Sequence, residues 1–72
     1  MTKLFISTDN KKEIAIESAK NYTNDDINVV DNIKDAEIVY FDKGWKNSER
    51  CVRYSNFALN HGITIIEDYR SN

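Results

Sequence analysis

The sequence predicts an α/β domain with a small, mainly parallel sheet flanked by two principal helices. Three observations point there. Leu4-Phe5-Ile6, Ile38-Val39-Tyr40-Phe41 and Ile63-Thr64-Ile65-Ile66 are short, almost wholly apolar runs without polar alternation, as strands covered on both faces are. Stretches with helical spacing and helix-terminal residues separate them. A chain of 72 residues has material for one hydrophobic core, so residues 1–72 form a single domain.

In chain order, Lys3 to Ser7 reads as the first strand, ended by the polar Thr8-Asp9-Asn10. Asn10 followed by Glu13 fits a capping box, and helix formers continue to Lys20. Ala15, Ala19 and Tyr22 recur at helical spacing, with Ile14 and Ile16 widening that apolar face. The weak helix formers Asn21 to Asn24 supply a stop. Ile27 to Val30 reads as a short strand or an extended connection, and Asp31 to Asp35 as a polar turn or a short helical turn. Ile38 to Phe41 is the central strand, β-branched and aromatic.

Ser48 caps a second helix running to about Asn60. Cys51, Tyr54, Ser55, Ala58 and Leu59 share one side of it, while Lys46, Arg50 and Arg53 approach one another on the next. Gly62 suits a left-handed helix end, and His61 beside it favours the negative pole of the dipole. Ile63 to Ile66 is the last strand, and Glu67 to Asn72 a polar tail. This succession predicts a minimal Rossmann-like three-layer arrangement with right-handed crossovers. Ligands in such sheets bind beyond the carboxyl ends of the strands. Ser7 to Asn10, Asp42 to Ser48 and Glu67 onward gather there.

The composition, 40% apolar and 31% charged, is that of a folded domain. A core this small supplies only about 3–5 kcal/mol, so a homo-oligomer or a partner is expected. Cys51 is the sole cysteine, so no intrachain disulfide forms. Three apolar residues near the start fall far short of a signal peptide or membrane span, and the expectation is a cytoplasmic protein. A net charge of −2 argues against nucleic acid. Acidic residues crowd 25–42, and Lys43, Lys46, Arg50 and Arg53 follow.

Two segments could bind. Gly44 allows a tight turn, Trp45 a stacking surface, and Ser48 a helix start able to hold an anion, strengthened by Lys46, Arg50 and Arg53. Ser7, Thr8, Asp9 and Asn10 after the first strand offer hydroxyl and amide groups to a sugar or phosphate. An ordinary turn and helix caps account for the same residues in purely structural terms. Asp9, Asp42, Glu49, Glu67 and Asp68 are candidate carboxylates, but no spacing pairs two of them in opposed roles. There is no phosphate loop, dinucleotide fingerprint, metal constellation or cofactor motif.

From Ala36-Glu37 through Ile38–Phe41, Gly44-Trp45, Ser48, Cys51 and Ala58 to Gly62-Ile63, the chain resembles the nucleoside 2-deoxyribosyltransferase-like superfamily, in particular its small members. Lys3 to Ser7 resembles that family's first strand. The resemblance implies a ligand site at the strand ends. Two residues depart from it: Arg50 stands where the family has Gly, and Tyr54 where the resemblance places the nucleophilic glutamate. A phenol with no base beside it is a poor substitute for a carboxylate in a covalent glycosyl intermediate. The reading is therefore a non-catalytic binding protein, acting by contact with a host protein, with no catalytic residue assigned. The alternatives are a nucleotide or nucleoside binder, a deoxyribosyltransferase or N-glycoside hydrolase, and a structural oligomerisation module. Abundant Asn and Ile without Pro suit a phage or mobile-element accessory protein.

Overall fold

The structure, a computed structural model, describes residues 2–23 and 26–67. Four parallel strands form one sheet: β1 (Thr2–Ser7), β2 (Ile27–Val30), β3 (Ile38–Phe41) and β4 (Thr64–Glu67), in the spatial order β2-β1-β3-β4. Helix α1 (Lys12–Ala19) joins β1 to β2, and α2 (Glu49–Asn60) joins β3 to β4. The small parallel sheet flanked by two helices is as the sequence predicts. The tail beyond Glu67, with Asp68 and Tyr69, lies outside the described residues.

Register divides the side chains between two faces. Leu4 pairs with Ile38 and Ile6 with Tyr40, and all four pack with Ala15 and Ala19 of α1. The intervening Phe5, Val39 and Phe41 pack with Cys51 and Ala58 of α2. Leu4, Val39, Tyr40 and Phe41 have no exposed surface. Ala15 and Ala19 let α1 approach closely, their small side chains being fully buried. The connection from β2 to β3 passes over the α2 face through a short 3₁₀ turn, Ile33–Asp35, and buries Ile33 there. Glu37 ends it, exchanging backbone and side-chain bonds with Lys3 at 2.9 and 3.0 Å.

Some local expectations change. α1 is preceded by Lys11 with no side-chain cap, because the Asn10 side chain bonds elsewhere. Ile14 and Leu59, expected on apolar inner faces, are 58% and 68% exposed: each helix is wider than the strip of sheet beneath it. Trp45, Tyr54 and Phe57 all pack half-buried around the α2-face cluster.

The Phe41→Ala substitution removes a fully buried ring at a cost of about 3–5 kcal/mol, as large as the whole stability of such a domain. Circular dichroism at 25 °C should show that variant unfolded. Ile14→Ala should shift the urea transition by less than about 0.5 kcal/mol. A cooperative, near-wild-type transition for Phe41→Ala would remove that residue from the core.

Candidate functional site

The chain leaves β1 toward one edge of the sheet and β3 toward the other. Their following loops therefore part, opening a crevice beyond the strand ends, where ligands of doubly wound sheets sit. The crevice encloses about 180 Å³ between Thr8, Asp9 and Asn10 on one side and Asp42, Gly44 and Trp45 on the other. Ser48 and Cys51, from the start of α2, line its base. Gly44 turns the chain at φ 79°, in the left-handed region, with nothing near its Cα to crowd a side chain. Its requirement for Gly is conformational. A 3₁₀ turn, Trp45–Asn47, then lays the indole on Phe41 at 4.7 Å.

Asp42 is the first residue past β3 and is only 5% exposed. Its Oδ2 accepts hydrogen bonds from Thr8 Oγ1 at 3.0 Å and Asn10 Nδ2 at 3.2 Å. Thr8 Oγ1 in turn accepts from the Asn10 backbone N–H at 2.9 Å. A buried carboxylate is costly unless hydrogen-bonded, and these neutral donors are what hold it: among the described residues no ion pair reaches Asp42. Below them the Ser7 hydroxyl donates to Cys51 Sγ at 3.0 Å, fastening β1 to the first turn of α2.

Asp9 is outside this knot. Arg50 Nη2 donates to its Oδ1 at 2.7 Å and to the Thr8 carbonyl at 2.8 Å. A hydrogen bond with Ser48, then the charge and hydrogen bond of Arg50, outweigh desolvation and hold the Asp9 carboxyl below its ordinary value. Ser48 also caps α2, its hydroxyl accepting from the Cys51 N–H at 3.3 Å.

Of the residues singled out in the sequence, Thr8, Asp9, Gly44, Trp45 and Ser48 converge on the crevice. Ser7 is buried beneath it. The expected basic face is divided: Arg50 turns onto Asp9, Lys46 lies over the Trp45 ring at 5.7 Å, and Arg53 stays exposed on α2. Cys51 completes the site without having been chosen for it, Asn10 comes from the loop singled out after the first strand, and Asp42 was named only among carboxylates that no spacing paired. The usable signal was Asp42 following an apolar strand directly. Tyr54 packs its ring edge against Phe5 at 4.9 Å and does not line this crevice. Glu49 is exposed in the first turn of α2. Among the described residues no cluster of His, Cys, Asp and Glu could hold a metal, and no helix is long and apolar enough to cross a membrane.

Because the folded-state pKa of Asp9 is depressed, its ionised form adds stability that is complete above the unfolded value. That contribution is lost as pH falls below 3.8 toward the folded pKa. The stability difference between wild type and Asp9→Asn, read by urea unfolding, should be constant near neutrality and shrink below pH 3.8. A difference that grows on acidification would contradict the Ser48 and Arg50 contacts.

No family model, curated protein or solved structure matches this chain, so the family resemblance rests on the residues quoted for it.

Proposed function

We propose that this chain is a non-catalytic binding domain that holds the hydroxyl-bearing part of a nucleoside-like small molecule in the crevice between β1 and β3. The observation that carries the reading is Asp42: a carboxylate buried at the mouth of a polar crevice, held by neutral donors and, among the described residues, without an ion-pair partner. Such a group favours ligands that donate hydrogen bonds, as sugar hydroxyls do, and disfavours phosphate. Arg50 does not reverse that preference, since Asp9 already occupies its guanidinium. A volume of about 180 Å³ suits a pentose-sized group, with Trp45 at the rim for a flat ring to pack on.

Two features support binding without turnover. Tyr54 stands where the resemblance expects the nucleophile, and its ring is spent on Phe5. Asp9 is paired with Arg50, so among the described residues the crevice holds no two carboxylates in opposed acid and base roles. Docking of a protein on the basic face is less well supported, because Lys46, Arg50 and Arg53 do not act together.

The test is an amide-resolved NMR titration with 2-deoxyribose, deoxynucleosides and their 5′-phosphates. Shifts should centre on Thr8, Gly44 and the Trp45 indole, with nucleosides binding more tightly than their phosphates. Asp42→Asn, once shown to be folded, should weaken binding by about tenfold or more. Shifts elsewhere, or tighter binding of phosphates, would refute the site. Release or exchange of base during the titration would make the protein an enzyme.

A further inference from the structure

Asp42 has more hydrogen-bonding capacity than its own loops use. A carboxylate accepts through about four lone-pair sites, shared between its two oxygens. Oδ2 receives two donors, Thr8 Oγ1 at 3.0 Å and Asn10 Nδ2 at 3.2 Å. Among the described residues Oδ1 accepts no hydrogen bond and joins no ion pair. Nor is it sealed away, since no buried side-chain oxygen or nitrogen among those residues lacks a partner. The side chain is only 5% exposed and lines the crevice, so its free oxygen opens there. Both lone pairs of Oδ1 are left for whatever enters.

The hydroxyls of the walls do not fill them. Thr8 spends its one hydrogen on Oδ2. Ser48 accepts from the Cys51 N–H and gives its own hydrogen to the Asp9 carboxylate, which can only accept. Ser7 donates to Cys51 Sγ beneath the crevice. The crevice is therefore better supplied with acceptors than with donors, and a ligand must bring the donors. Lys43 narrows their kind. It lines the same crevice and, among the described residues, forms no ion pair with Asp42. Its charge opposes a cationic ligand and leaves neutral donors favoured.

We propose that the group held by Asp42 is a vicinal cis-diol, so that the crevice selects a ribofuranoside over its 2-deoxy counterpart; this rests on the nucleoside-binding reading above. One hydroxyl fills one lone pair of Oδ1 and strands the other once solvent is displaced. Two hydroxyls on neighbouring carbons and on the same side of the ring reach both. A site that hydrogen-bonds a hydroxyl discriminates strongly against an analogue lacking it, because its own buried polar group is then left unpaired.

Adenosine, 2′-deoxyadenosine, 3′-deoxyadenosine and arabinosyladenine share a base and differ in the diol. In NMR titrations followed at the Gly44 amide and the Trp45 indole, adenosine should bind about tenfold or more tightly than each of the others. Methyl ribofuranoside, which has the diol and no base, should shift the same signals and bind more tightly than methyl 2-deoxyribofuranoside. Asp42→Asn, checked for folding by circular dichroism, should bring the nucleosides to within about threefold of one another. In that variant Thr8 keeps the amide oxygen, and the amide nitrogen, a donor, is left for the ligand. The series on the unaltered protein decides the question even if the variant does not fold. Equal affinities for adenosine and 2′-deoxyadenosine at the crevice would overturn the diol and leave the nucleoside-binding reading standing. A preference for adenosine that survives in folded Asp42→Asn would take the diol away from Asp42. No shift at Gly44 or Trp45 with any nucleoside would sink both proposals.

Discussion

β1 and β3 lie side by side with apolar side chains on both faces, and the rest of the molecule follows from the need to cover them. One helix cannot cover two faces. α1 takes the side of Leu4, Ile6 and Tyr40, and α2 the side of Phe5, Val39 and Phe41. The chain must therefore leave β1 and β3 in opposite directions, and the loops at their ends separate. What fills the gap is polar by necessity: a buried loop would strand its backbone groups. Asp42 meets that need by accepting from Thr8 and Asn10, which makes the site's most buried charge also the fastening of its two walls.

How far this could be read in advance depended on how many neighbours each element had. The central strands were legible because coverage on both faces leaves an unbroken apolar run. β2 was fainter because it is an edge strand, with exposed Asn28 breaking its pattern. The second helix was legible at both ends, since the Ser48 cap and the left-handed Gly62 at φ 67° are local signals. The first helix misled at its start: Asn10 has the chemistry of a cap, but Asp42, 32 residues away, takes its amide. Arg50 misled similarly. Helical spacing groups it with Lys46 and Arg53, whereas Asp9 draws it across the crevice. Local chemistry names what a side chain can do, and tertiary competitors decide which of those things it does.

The exposed Val52 and Leu59 carry a related lesson about width. Periodicity marks the apolar arc of α2 but not how many strands lie beneath it. A sheet that ends at β4 leaves part of that arc uncovered. The sheet edge and the crevice are separate consequences of the same four-strand order.

The central claim is that the Asp42 carboxylate binds the two loops into one site, and a double-mutant cycle between Thr8→Val and Asp42→Asn measures that bond itself. With stability read from urea unfolding at neutral pH, the claim predicts a coupling of about 1 kcal/mol or more, as for a hydrogen bond to a charged group. Effects that add to within about 0.3 kcal/mol would mean that the two side chains do not act on one another.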